Sequence, residues 1–208
     1  MARRSQRLPR KLPKQGRAKA TVEAILTATA HILVRQGFEA ANTNCIAERA
    51  GVSIGSLYQY FPSKDALIAA LLERHVAEML AVAEDGIARA MGGSMRQRAR
   101  EMVRVMLAAH AVEPRLHRVF MEEIPYANRI QRLEELERMF EELARIALER
   151  ERGTIRPRNL DIAAFVLVQT VEALTHAAAL HRPEFLNSEE FLDETTELIV
   201  RYLARDGA

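Results

Sequence analysis

Tryptophan is absent from this chain, cysteine occurs once in 208 residues, and aromatic side chains make up only 5%. The single Cys45 excludes an internal disulfide and fits a reducing cytosol; its position favours a small packing residue over an oxidant sensor. The six histidines, at positions 31, 75, 110, 117, 176 and 181, form no HExxH and no close His/Cys pattern, so no metal is expected. GxSxG, GxxxxGK[ST] and a strand followed by GxGxxG are also missing, which leaves hydrolase, P-loop and dinucleotide chemistry without a carrier. No cofactor is expected, and an enzyme built on a buried His176 and Glu172 is a remote alternative. Acid pairs such as Glu122-Glu123, Glu134-Glu135 and Glu141-Glu142 read as solvated helix faces. The basic start of the chain leads into no apolar stretch, and no apolar run of membrane length is uninterrupted. The expectation is a soluble, cytoplasmic protein without membrane partners.

What is present is globular: 49% hydrophobic and 28% charged residues. The net charge of +2 conceals an asymmetry. Residues 1–19 carry Arg3, Arg4, Arg7, Arg10, Lys11, Lys14, Arg17 and Lys19 and no acid. Those are eight of thirty basic residues; the remaining twenty-two face twenty-eight acids, leaving the rest of the chain near −6. A basic arm on an acidic body fits contact with phosphates or insertion in a minor groove, and Pro9, Pro13 and Gly16 argue against helix there. A solubilising disordered tail is the plainer alternative.

From Ala20 onward the periodicity is helical. Val22, Ile25, Leu26, Thr29, Ile32 and Leu33 form one stripe, ended by Gly37. Asn42 or Thr43 caps the next helix, and Ser63 caps a long one that runs toward Met91. Breaks at Gly92-Gly93, Pro114, Pro125, Gly153 with Pro157, and Pro183 leave helices near 94–112, 115–122, 128–150, 160–180 and 188–205. No strand alternation and no repeat is visible. The expected fold is all-α: a basic disordered arm over 1–19, a three-helix homeodomain-like helix-turn-helix domain over 20–65, and a helical body over 66–208.

The run from Ile46 to Phe61 carries the most information. Ile46, Ala47 and Ala50 share a helical face; Gly51 suits a left-handed helix end; Ser53 suits an N-cap; Val52 and Leu57 can fill the angle between two helices. Small or polar Ser53, Gly55, Ser56 and Gln59 leave a face that can approach bases, as the second helix of a helix-turn-helix does. An ordinary helical hairpin competes with this reading of the bare pattern. The longer segment AERAGVSIGSLYQYFPSKDAL resembles the DNA-binding domain of TetR-family transcriptional regulators, over about Ala20 to Leu72. The resemblance implies phosphate contacts for Tyr58, Tyr60 and Lys64, and groove reading across Ser53, Ile54, Gly55, Ser56 and Gln59. Asn42, Thr43 and Arg17 are further candidate phosphate contacts. Ile54 departs from the family, where many relatives carry Lys; it can touch a thymine methyl but cannot neutralise a phosphate.

Residues 162–180 are apolar around most of the helix, interrupted by Gln169, Glu172 and His176. Such a helix needs cover on all sides, and a second subunit is the economical source, paired through the last helix with Phe191, Leu192, Leu198, Ile199 and Tyr202. A core helix in a monomer is the alternative. The resemblance adds a homodimer on a near-palindromic operator and a ligand cavity in the body. The candidate lining is Met102, Met106, His110, Phe120, Met121, Tyr126, Met139, Phe140, Phe165, Gln169 and His176, each of which could equally be plain core. The combined expectation is a repressor released by a small apolar or amphipathic effector. The alternative is an architectural DNA-binding protein with no effector site.

Overall fold

The computed structural model describes residues 14–90, 92–124 and 130–205. Among them are nine α-helices, one 3-10 turn and no strand, as the helical periodicity requires. Contacts divide the chain into residues 1–71 and 72–208.

The first unit contains α1 (Lys14–Ala40), α2 (Thr43–Ala50), α3 (Ile54–Tyr60) and the opening turns of α4 (Lys64–Ala90). Its core is Ile25, Leu26, Ile32, Leu33, Ile46, Leu57, Leu67, Ile68 and Leu71, all buried. The apolar stripe read from the sequence is therefore the core face of α1. Thr29 sits on that face with 0% exposure because its Oγ1 donates to the Ile25 carbonyl at 2.7 Å, leaving no orphaned hydroxyl. Gly37, with φ +80°, breaks the helical path of α1 before Ala40. One expectation is corrected at the other end. Lys14 to Lys19 belong to α1 rather than to a disordered arm, and Thr21 Oγ1 donates to the Arg17 carbonyl at 2.9 Å. Proline costs a helix little at its start, and a helix nucleated on the buried stripe extends backward over Gly16 for a small propensity cost. Arg3 to Lys11 lie outside the described residues.

The body contains the rest of α4, α5 (Met95–His110), α6 (Pro114–Glu122), α7 (Ile130–Arg150), α8 (Leu160–His181), the 3-10 turn Pro183–Asn187, and α9 (Glu189–Leu203). Caps fix the helix starts. Ser94 and Gln97 form a reciprocal capping box on α5; Asn159 accepts from Asp161 and Ile162 on α8; Ser188 accepts from Phe191 on α9. The core joins Val103 and Leu107 of α5, Leu148 of α7, Ala163, Ala164, Val171, Ala178 and Ala179 of α8, and Leu192, Ile199 and Leu203 of α9. Alanines on the buried face of α8 let its neighbours approach closely. α8 has the length and hydropathy of a membrane span, yet this face is packed inside the body. Its other face carries Ile162 and Phe165, 59% and 53% exposed, and α9 exposes Leu198.

Candidate functional site

Two sites emerge, one in each unit. In the first, Asn42 Oδ1 accepts from the Cys45 amide at 2.9 Å, which settles the cap of α2 on Asn42 rather than Thr43. Gly51 ends α2 at φ +69°, ψ 31°, and no atom stands within 4 Å of where its Cβ would be; glycine is needed there for conformation, not for space. Ser53 Oγ accepts from the Ser56 amide at 3.1 Å and starts α3. Leu57, fully buried, holds α3 against the core, so the opposite face is set outward.

That outward face consists of Ser53, Ile54, Gly55, Tyr58, Gln59 and Tyr60, all exposed, with Ser56 half-buried beside them. Gly55 has a negative φ and meets only Ser53 Oγ, at 3.9 Å. Nothing within the chain requires glycine at 55, and its absent side chain leaves the backbone open to close external approach. Thr43 Oγ1 and Tyr58 Oη are 3.0 Å apart, so two candidate phosphate contacts, on α2 and α3, are joined. Arg17 is exposed on α1. Lys64, half-buried at the start of α4, has a partner within the chain. Its Nζ donates to the Phe38 carbonyl at 2.6 Å and lies 3.9 Å from the centre of the Phe38 ring, so the ammonium ties α4 to the segment after Gly37. Cys45 is exposed, not a packing residue. It lies on the α2 face that flanks an open groove with α1.

The second site is a cavity of about 260 Å³ inside the body, walled by α4, α5, α6, α7, α8 and α9. Met102, Met106, His110, Phe120, Met121, Phe140 and His176 line it, as the sequence predicts. Three expectations fail. Phe165 is 53% exposed, Met139 is 42% exposed, and Gln169 is half-buried outside the lining; these three do not reach the cavity. Position along α8 matters more than helical phase: Phe165 and Gln169 share a side with Glu172 and His176, at spacings of three, four and seven, yet only the latter two, nearer the C-terminal end, line the cavity. Tyr126 lies outside the described residues. Sequence reasoning missed the contribution of α4, namely Leu72, His75, Val76, Met79 and Leu80, together with His117 of α6.

The polar part of the wall is a histidine cluster. His75 Nε2 and His117 Nδ1 are 3.2 Å apart, and His110 Nδ1 lies 2.8 Å from the Met106 carbonyl. Burial drives His117 down to about 2, with His110, His176 and His75 adding repulsion, and His75 down to about 4, with His110 and Arg74 adding to it. Burial also lowers His110, partly offset by its bond to Met106. His75 and His117 are therefore uncharged at neutral pH. Glu172, also in the wall, is pushed up to about 7 by burial and by the neighbouring carboxylates of Glu137 and Glu141.

A three-helix unit whose third helix, α3, faces outward, followed by a helical body with an internal cavity, defines a helix-turn-helix regulator. Residues 25–71 match the family described as "Bacterial regulatory proteins, tetR family", and residues 94–203 match "Tetracyclin repressor-like, C-terminal domain". The chain belongs to the TetR family of bacterial DNA-binding transcriptional regulators, which are not enzymes. It is 43% identical over 79 residues to the HTH-type transcriptional repressor KstR of Mycolicibacterium smegmatis, and 41% identical over 78 residues to the transcriptional activator FasR of the same organism. Each match spans 38% of this chain, and 38% and 32% respectively of those relatives, so the chain matches only about a third of their length. The fold is similar to that of NalD, the secondary repressor of the MexAB-OprM multidrug efflux pump in Pseudomonas aeruginosa. The TM-score is 0.71 at 21% identity, with 92% of this chain and 99% of that one covered.

Proposed function

We propose that the chain is a cytoplasmic homodimeric repressor that binds a near-palindromic operator and is released by a small apolar or amphipathic effector. The observation that carries this reading is the course of α4. Its first turns supply Leu67, Ile68 and Leu71 to the core of the DNA-reading unit, and its later turns supply Leu72, His75, Val76, Met79, Leu80 and Ala83 to the cavity wall. An effector that favours one position of α4 over another shifts the population of DNA-competent dimers. Thioether and aromatic side chains in the wall suit apolar ligands of varied shape, and Glu172 with the histidines supplies polar handles. The uncovered stripe of Ile162 and Phe165 on α8, with Leu198 on α9, is the surface that a second copy buries. Two copies then present two α3 helices to half-sites about 34 Å apart for each helical turn of separation.

In the DNA complex, Tyr58, Tyr60 and Thr43 contact phosphates, Arg17 adds charge, and Gln59 with Ser56 and Ile54 reads base edges. Lys64 contributes through Phe38, by holding the unit together. Footprinting tests the proposal. A discrete protected palindrome, with base preference altered at one position by Gln59→Ala, supports it; uniform coverage of random DNA contradicts it and favours an architectural role.

A further inference from the structure

His110, His117 and His176 come from α5, α6 and α8, and their candidate donor nitrogens all lie within 4.8 Å of one another. Their ring centres are 5.0 Å (His110–His117), 4.8 Å (His110–His176) and 5.1 Å (His117–His176) apart. An ion bound tetrahedrally through imidazole nitrogens at about 2.0–2.1 Å sets ring centres about 5 Å apart and the nitrogens themselves about 3.4 Å apart. The rings are thus spaced for such an ion, and small side-chain rotations bring the nitrogens onto it.

The hydrogen bonds orient the rings in the same sense. With Nδ1–H of His110 donating to the Met106 carbonyl, the lone pair falls on Nε2. With Nδ1–H of His117 donating to His75 Nε2, the lone pair of His117 falls on its own Nε2. That atom is buried and has no hydrogen-bond partner. A carbonyl behind His110 is a usual support of a metal-binding histidine, and His75 takes the corresponding place behind His117. His75 therefore serves as a positioning residue, not a ligand. Glu172 and Glu137 stand in the wall of the same cavity.

We infer that His110, His117 and His176 form a binding site for a divalent transition-metal ion of the zinc class in the wall of the body cavity, with a fourth position left to water. Three imidazoles with one open position suit zinc and its borderline neighbours rather than calcium or magnesium, which require oxygen ligands. The inference does not rest on the cavity accepting an organic effector, and its test involves no DNA.

The full chain, freed of metal with a chelator, is titrated with Co(II) as a spectroscopic probe and then with Zn(II) as competitor. The expected result is visible d–d absorption of a low-coordinate ion, saturating at one Co(II) per chain and removed by Zn(II). His117→Ala and His176→Ala each abolish the absorption. His75→Gln weakens binding by about 10–100-fold without abolishing it. His181→Ala, at an exposed residue, leaves it unchanged. The metal-free variants are melted alongside; if His117→Ala does not fold, His176→Ala at the half-buried position decides. No cobalt absorption from the parent chain overturns the site, as does absorption that persists in the folded His176→Ala variant. Either result leaves the histidines as a buried hydrogen-bonded cluster.

Discussion

The two units bury different things. Among the described residues of the DNA-reading unit, the buried side chains are apolar except Thr29, which bonds its own helix; the polar groups of Ser53, Tyr58, Gln59 and Tyr60 face outward. The body turns this arrangement inside out. It buries His75, His110 and His117, holds Glu172 and His176 half-buried at a cavity, and leaves Ile162, Phe165 and Leu198 uncovered outside. A surface that reads a rigid, charged partner needs no interior chemistry. Under the proposed function, polar groups within suit a small ligand and apolar ones without suit a second subunit. The contrast can be broken or sharpened by substitutions on either side of it.

The largest effect is expected at the exposed apolar stripe of the body. Phe165→Asp places a charge where a second copy is expected to pack; sedimentation should show a monomer, and operator affinity should fall by about 10²–10⁴, the gain that linkage of two half-site readers provides. A monomeric parent chain, or a dimer in the variant, contradicts the assignment of this face. Next in size is Leu57→Ala, which removes the fully buried anchor of α3 and should cost about 2–5 kcal/mol. Hydrogen exchange should show the loss in α1 to α3 and leave α8 protected.

The outward face of α3 distinguishes holding from reading. Tyr58→Ala should weaken binding evenly across operator variants and break the pairing with Thr43. Gln59→Ala should change preference at one base position by about 1–3 kcal/mol. An even loss in both variants would remove Gln59 from the base-reading set.

The smallest expected effects concern protons in the body. Glu172 is raised in the folded state to about 7 from 4.5, so its contribution is present below pH 4.5 and is lost as pH rises through 7. Glu172→Gln should therefore stabilise the body at pH 8 by about 1–2 kcal/mol, a value reduced for its partial exposure, and do little at pH 4.5. The histidines act in the opposite direction. His75 is held down to about 4 and His117 to about 2, so their stabilisation is complete above pH 6.5 and declines as pH falls through those values. Thermal melts across this range should show the Glu172→Gln difference grow with pH while both proteins weaken in acid. A constant difference would place Glu172 in solvent.

The legibility of the two units follows the same division. The DNA-reading unit is spelled by a contiguous segment, because its turn, caps and outward face are all local: Gly51, Ser53 and Gln59 occupy the places that spacing alone gives them. The Lys64–Phe38 contact is not legible locally, because the Phe38 carbonyl lies 26 residues away and only the packing of α4 brings it near. In the body, helix limits are legible from Gly and Pro breaks, and seven cavity residues from their Met, Phe and His chemistry. Phe165 and Gln169 were misassigned because a helix apolar on every side gives no signal of which of its turns reach the cavity. The histidine cluster was invisible for a related reason. His75, His110, His117 and His176 stand on four different helices, so no short spacing connects them, and only the assembled body does.

The most direct test of the account concerns the coupling of cavity and operator. An apolar ligand found to raise the melting temperature of the parent chain, and no longer to do so when Ala109 in the cavity wall is replaced by Phe, is titrated with and without operator DNA. The account predicts that ligand weakens operator binding, and that operator weakens ligand binding by the same factor, as linkage between two sites requires. A ligand that occupies the cavity while operator affinity stays unchanged would contradict it.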